Sequence, residues 1–279
     1  MKKITLAFLL STTYIFSNMN AVVSILPQQT FVKAIAGDKI NVSLMVLPGN
    51  SPHTYEPKPS QMIDIAKADL YFAINVEFEK VWLPKFKDLN PNMQIIDLAD
   101  NIPKIYMLET EHGGHEHESA DPHVWTAPAN VKIIAQNIYA ALITKDPANT
   151  TYYKRNLGIF LASINETDRQ ISHILSSLGE SRRFMVFHPS WGYFAKAYNL
   201  EQIAVEVEGK EPKSKALIHL LKEAKEEKVK AIFTQPEFSD TVARIISKEL
   251  QIPVVKVSPL APNWSENLLK IANTIAGKK

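Results

Sequence analysis

Three histidines, each one beside a proline or within a Pro-His step, are the residues of this 279-residue chain best suited to chemistry. His53 lies in Ser51-Pro52-His53-Thr54-Tyr55-Glu56, His123 in Asp121-Pro122-His123-Val124-Trp125, and His188 in Phe187-His188-Pro189-Ser190-Trp191. Imidazoles on short rigid turns are the donors a borderline-soft divalent cation takes, zinc above all. Proline fixes its own φ and restricts its neighbour, so less loop entropy is lost when a cation arrives. Each ring must be neutral to donate, so binding competes with protons in the ordinary histidine range near about 6.5. Any one such histidine alone reads as a turn residue; three in matching contexts read as a ligand set.

Just before the second of them runs Glu111 to Glu118, EHGGHEHE, which carries His112, His115 and His117. With two glycines, no apolar residue and several charges, it reads as a loop outside any core. Its imidazoles can bind zinc weakly and raise the local concentration near the main set; the alternative is an inert solvated loop. His173 and His219 fall beside the apolar faces of helical patterns and read as surface positions. Trp82, Trp125, Trp191 and Trp264 read as core or cleft-wall residues.

The chain has 46% hydrophobic composition, enough for a sizeable core and two domains. Lys2-Lys3 followed by an apolar stretch from Ile4 to about Phe16 reads as a secretory signal, too short for a comfortable bilayer span, with cleavage expected between Ser17 and Ala21. Its removal takes away two of the 31 basic residues and none of the 29 acidic ones. The resulting balance gives no reason to expect nucleic acid or an anionic membrane as partner. Cysteine is absent, which rules out disulfides, thiolate metal sites, cysteine nucleophiles and a lipidated cysteine in this sequence. An exported, monomeric protein of a periplasm is the expectation.

Short β-branched runs alternate with helical patterns, predicting an α/β fold of strands wrapped by helices. Strands are expected at Val22–Ile25, Ile40–Val46, Leu70–Ile74 and Gln94–Asp97, and again at Phe184–Phe187, Gln202–Val205, Ala231–Thr234 and Val254–Val257. Between Asp146 and Gly179, Tyr153, Leu157, Phe160, Ile164, Ile171, Ile174 and Leu178 recur at helical spacing. That pattern predicts one long helix of about 32 residues, roughly 48 Å, bridging two parallel-sheet βα domains. The expected organisation is a signal over 1–20, an N-terminal domain over 21–145, the linking helix over 146–180 and a C-terminal domain over 181–279. Ligands of open parallel sheets collect outside the carboxyl ends of strands. His188 and Ser258 each follow a predicted strand directly, and His53 follows one across a turn, so a cleft between the two domains is the expected site.

The motifs PHTYEP at Pro52–Pro57 and DPHVW at Asp121–Trp125 resemble the metal motifs of the solute receptors of bacterial ABC importers. His188 with Pro189, Gly192 and Tyr193, and the stretch Glu208–Pro212, resemble further signatures of that family. The resemblance spans the mature chain. It implies two βα domains bridged by a backbone helix, metal held between them, and an inner-membrane permease as partner. The histidine-rich run and His at 188 look like the zinc branch rather than the manganese branch. Two departures stand out: Ser258-Pro259-Leu260 replaces the family's common Asp-Pro-Leu, and Gln235-Pro236-Glu237 replaces its Glu-Pro-Gln. With no carboxylate at 258, the fourth coordination position is expected to fall to water or to Glu237, which a strand-following turn can also aim elsewhere. Glu56, Asp121 and Glu208 are candidates to accept the second ring N–H of the histidines.

The expected function is therefore a periplasmic zinc receptor, without catalytic activity, that delivers Zn2+ to an ABC permease. Alternatives are a receptor for manganese or another divalent metal, a three-histidine zinc hydrolase, which would lack an HExxH pairing, and an adhesin or chaperone with a structural metal. Deleting Glu111–Glu118 is expected to lower zinc stoichiometry and zinc acquisition under scarcity. Unchanged values in metal analysis would make the run an inert loop.

Overall fold

The computed structural model describes residues 19–107, 119–179, 182–206 and 211–278. The expected signal before Met19, the histidines of the 111–118 run and Glu208 lie outside these residues. Two four-stranded parallel sheets make up the framework. In the first, β1 (Met19–Val23) pairs with β2 (Ile40–Leu44) and β3 (Leu70–Ala73), and β3 with β4 (Gln94–Asp97). The helices α1 (Leu26–Ala36), α2 (Pro59–Lys67) and α3 (Glu77–Leu89) connect these strands. A short antiparallel pair, β5 (Tyr106–Met107) with β6 (Ser119–Ala120), brackets the histidine-rich run and has no counterpart in the sequence expectation. Two-residue strands carry too little periodicity to register.

Helix α4 (Pro128–Lys145) leads into α5 (Thr150–Leu175), and the second sheet follows. It is built from β7 (Arg183–Val186), α6 (Gly192–Ala197), β8 (Glu201–Ala204), α7 (Ser214–Glu226), β9 (Ile232–Thr234), α8 (Thr241–Leu250), β10 (Val254–Lys256) and α9 (Trp264–Ile275). Strand order is β2-β1-β3-β4 in one sheet and β10-β9-β7-β8 in the other. Counted from its own first strand, each sheet runs second, first, third, fourth. The two halves thus repeat one topology, with the switch beside the first strand, where ligands of such sheets gather.

The strut is shorter than expected: 26 residues, about 39 Å. Pro147–Asn149 forms a 3-10 turn ahead of it. Asp146 does not cap backbone N–H groups; its Oδ2 accepts from Asn149 Nδ2 at 2.7 Å and from the Tyr153 hydroxyl at 2.6 Å. At the far end the hydroxyls of Ser176 and Ser177 donate to the carbonyls of His173 and Ile174, three residues back, and the helix stops before Gly179. Tyr153, Ile164 and Ile171 are fully buried, as their spacing predicts. The seven-residue gap between the last two is filled by buried Thr167, whose hydroxyl bonds the Ser163 carbonyl and Ser265 of α9. A polar residue on the core face left the gap in the apolar pattern.

The strut packs against α4, α9 and α1. Phe31 of α1 meets Trp264 of α9 edge-on at 5.8 Å, a geometry worth about 0.5–1.5 kcal/mol beyond area burial. The main hydrophobic core continues from the first sheet through the strut to Phe184, Val186 and Trp191. A separate core around Met185, Ile203 and Ile232 fills the other face of the second sheet.

Under the carboxyl ends of β1 and β3 sits a buried carboxylate. Glu79 accepts hydrogen bonds from the backbone N–H of Ile74 (3.1 Å) and Asn75 (2.7 Å) and from the Ser24 hydroxyl. Asn75 takes the left-handed conformation, φ 66°. Burial pushes the Glu79 carboxyl up to about 7, against the opposing pull of these donors. Because its folded value lies above the unfolded one, the stability tied to the bound proton is complete below about 4.5 and is lost as pH rises through about 7. Glu79→Gln is expected to flatten the pH dependence of urea stability across that window, removing a loss on the order of 3 kcal/mol. A slope identical to that of the parent chain would sink this assignment.

Candidate metal centre

Each of the three histidines reaches the centre from a different loop. After β2 the chain turns at Gly49, φ 83°, where a side chain would be strained. Gln61 of α2 then ties this loop down: its amide donates to the carbonyls of Leu44 and Met45 (2.8 and 2.6 Å), and its oxygen accepts from the Tyr55 hydroxyl at 2.7 Å. His53 follows, with its backbone N–H on Ser51 Oγ (3.3 Å). His123 stands between β6 and α4, its backbone N–H held by Asp121 Oδ1 at 2.9 Å. His188 ends the run after β7, and buried Gln235 clasps its turn by donating to the carbonyl of His188 (3.1 Å) and to Ser190 Oγ (2.6 Å).

The three rings converge. One nitrogen from each of His53, His123 and His188 lies within 4.8 Å of the others, and no other His/Cys/Asp/Glu triplet among the described residues does so. His53 Nε2 and His188 Nε2 are 3.0 Å apart. The enclosed space is about 20 Å³, room for one small particle. Trp125, Phe238, Pro259 and Leu260 supply apolar walls, and Phe238 stacks on the His188 ring at 4.9 Å.

A carboxylate stands behind each ring. Glu77 Oε2 is 3.2 Å from His53 Nδ1, Asp121 Oδ1 is 2.7 Å from His123 Nδ1, and Glu206 Oε1 is 2.6 Å from His188 Nδ1. An ionised carboxylate only accepts, so each Nδ1 carries the hydrogen and each Nε2 presents a lone pair inward. At 3.0 Å the Nε2 atoms of His53 and His188 are at hydrogen-bond distance, so a shared proton or a metal ion can hold the two rings together. Tetrahedral zinc with nitrogen at 2.0–2.1 Å implies N···N separations of roughly 3.3–3.4 Å, compatible with one pair at 3.0 Å and all three nitrogens lying within 4.8 Å of one another. The donor set and its spacing fit a small divalent cation.

Electrostatics separate His53 from His188. Burial lowers the His188 pKa, and Glu206 only partly offsets this, so that ring stays neutral. At His53 burial also acts downward, yet hydrogen bonding and charge from Glu77 raise the net value. Glu77 itself is held near about 2, its burial outweighed by His53. Of these two rings acid therefore reaches His53 before His188; His53 also has the most exposed side chain of the three, 28% against 7% and 11% for His123 and His188.

Of the second-layer candidates, Asp121 is found in place. Glu56 is exposed, and Glu77 takes the position behind His53. Glu206 takes the one behind His188. The signal for Glu206 was register: Val186 pairs with Ala204, so two further steps set His188 beside Glu206. Glu237 lines the cleft outside the imidazole cluster, with its Oε1 accepting from Ser258 Oγ at 3.2 Å. His173 and His219 are exposed, as expected.

The Asp121–His123 segment is bound to the second lobe. Trp125 Nε1 donates to the Pro259 carbonyl and Trp264 Nε1 to the Trp125 carbonyl, each at 2.7 Å. At Gly192, the first residue of α6, a Cβ would stand 2.6 Å from Asp121 Oδ2. Gly192 thus leaves room for the carboxylate that orients His123. Gly192→Ala is expected to displace Asp121 and lower metal affinity by about tenfold or more, within the range for losing such a partner. Metal titration beside a thermal melt checks it; unchanged affinity in a folded variant would show that Asp121 has slack.

Comparison with known proteins gives these features a family. The chain is 31% identical over 242 residues to the high-affinity zinc uptake system protein ZnuA of Bacillus subtilis, covering 83% of this chain and 75% of that protein. It is 30% identical over 256 residues to the manganese ABC transporter substrate-binding lipoprotein of Streptococcus gordonii, covering 88% and 80%. A crystal structure of ZnuA superposes with a TM-score of 0.87 at 41% identity, over 94% of this chain and 99% of that one. A ZnuA deletion mutant with zinc bound gives 0.85 at the same identity, over 93% and 97%. The family described as zinc-uptake complex component A, periplasmic, matches residues 21–277. The chain belongs to that family: it is a substrate-binding protein of a metal ABC transporter, a receptor and not an enzyme.

Proposed function

We propose that this chain is a periplasmic zinc receptor that captures Zn2+ between its lobes through His53, His123 and His188 and hands it to an inner-membrane ABC permease. The observation that carries this reading is the all-imidazole convergence, with every Nδ1 committed to a carboxylate. Relatives named for zinc and for manganese are equally similar in sequence, so the choice of metal rests on the donors. Hard oxygen ligands suit manganese, and imidazole suits zinc. The carboxylates behind the rings make better donors of the imidazoles without themselves becoming ligands.

The periplasm is favoured by the description of the family that matches residues 21–277, zinc-uptake complex component A, periplasmic. No helix among the described residues is long and apolar enough to cross a membrane. Signal cleavage ahead of Met19 would leave β1 whole, including the bond from Asn20 N–H to Asp69 Oδ2. A monomer needs no partner copy to complete the three-histidine set. The histidine-rich run with His112, His115 and His117, which lies in sequence between β5 and β6, would serve as a weak auxiliary zinc collector.

Metal analysis and zinc/manganese competition on the mature protein test the reading. Zinc is expected to outcompete manganese, and His53→Ala, His123→Ala and His188→Ala each to cut zinc affinity by more than the roughly 10–100-fold typical of losing an outer partner. Manganese prevailing in competition would overturn the choice of metal. Affinities insensitive to the three substitutions would overturn the site.

A further inference from the structure

Two of the three imidazoles lie against an aromatic plate. Trp125 is 5.4 Å from the His123 ring, and Phe238 stacks on the His188 ring at 4.9 Å with 24° between the planes. Trp125 is buried and pinned by its indole bond to the Pro259 carbonyl. Phe238 is half-buried: it joins the second core on one side, 5.9 Å from the Phe187 ring, and lines the cleft on the other.

One turn holds both the plate and the ring it covers. Phe238 N–H donates to the Gln235 carbonyl at 3.3 Å. The side chain of Gln235 donates to the His188 carbonyl and to Ser190 Oγ, and it accepts from His188 N–H at 3.4 Å. The stack is thus fixed by the backbone and by a buried amide, not only by contact between the rings.

Around the point where the nitrogens meet, a cation finds the apolar carbon of Trp125, Phe238 and Leu260 in a space of about 20 Å³. That is room for a single particle and not for a shell of water. Zinc is satisfied by four donors in a tetrahedron. Manganese takes six, mostly oxygen, and in a site of imidazoles most of those oxygens must come from water.

We propose that Phe238 is a specificity-determining residue of this receptor: its ring, stacked on His188, shuts out the additional waters that a six-coordinate cation needs. The inference rests on the three-histidine zinc reading and deepens it, naming a side chain that rejects manganese without touching the metal. Removing the phenyl ring takes away no ligand and no carboxylate. It opens room beside His188 for more than one water, each about 30 Å³ of liquid volume.

The test uses the mature full chain in zinc/manganese competition and, separately, loaded with cobalt(II) as a spectroscopic probe. Tetrahedral cobalt absorbs visible light strongly and six-coordinate cobalt weakly, so the bands report water entering the site. The parent chain is expected to give strong bands. Phe238→Ala should weaken them severalfold and lower the zinc-over-manganese affinity ratio 10-fold or more. Phe238→Leu, which refills the space, should recover most of both. A thermal melt checks folding, and Phe238→Val is read in the same way if Phe238→Ala does not fold. Weak bands in the parent chain would overturn the proposal. So would a folded Phe238→Ala that keeps strong bands and loses zinc and manganese affinity in equal measure, which would leave Phe238 a packing residue. A parent chain that prefers manganese, or that ignores His53→Ala, His123→Ala and His188→Ala, would instead overturn the zinc reading.

Discussion

The convergence of three imidazoles on one small space is the constraint around which this molecule is organised. Three rings present nitrogen to one small space, and two of those nitrogens stand 3.0 Å apart. That pair is at hydrogen-bond distance, which a shared proton or a metal ion can satisfy. The arrangement persists because each ring is held from behind: Asp121 and Glu206 lie within 2.7 Å of Nδ1 and Glu77 at 3.2 Å. The carboxylates select the tautomer, and the fold positions the carboxylates. Affinity is thus built from preorganisation, since little remains to be ordered when the ion arrives.

That preorganisation spans two lobes. His53 and Glu77 hang from the carboxyl ends of the first sheet, and His188 and Glu206 from those of the second. His123 belongs in chain order to the first lobe, yet its segment is fastened to the second through Trp125, Trp264 and the gap at Gly192. Parting the lobes would exchange both buried indole hydrogen bonds for bonds to water, a net loss of about 0.5–1.5 kcal/mol each. A core that runs without a break through the strut into the second sheet reinforces this. The architecture therefore favours small adjustments around a nearly formed site over wide opening of a hinge.

One strand order is repeated in both sheets, with the first strand of each inside the sheet. The site nevertheless draws on non-equivalent strands: His53 follows the second strand of its sheet and His188 the first strand of the other, both beyond carboxyl ends. The buried Glu79, pushed up to about 7 beneath the loop that carries Glu77, is part of the same economy of backbone. It satisfies N–H groups that a tight turn after β3 would otherwise leave buried and unpaired.

Much of this was legible in the residue order. Period-two and period-3.6 patterns are local, so all eight principal strands and the strut were readable, with boundaries shifted by a few residues. The helix fell short because Asp146, Ser176 and Ser177 spend their side chains on local bonds that compete with helical ones. The three histidines were legible because rigid Pro-flanked turns advertise themselves in sequence. What stands behind each ring was not. Glu77 and Glu206 are 24 and 18 residues from the histidines they orient, joined to them only through strand register and loop crossing. Nor does sequence spacing reveal that Ser258 touches Glu237, or that Gly192 makes room for Asp121. Local chemistry determined which groups could bind an ion; long-range packing decided which of them face it, because only packing sets distances between residues remote along the chain.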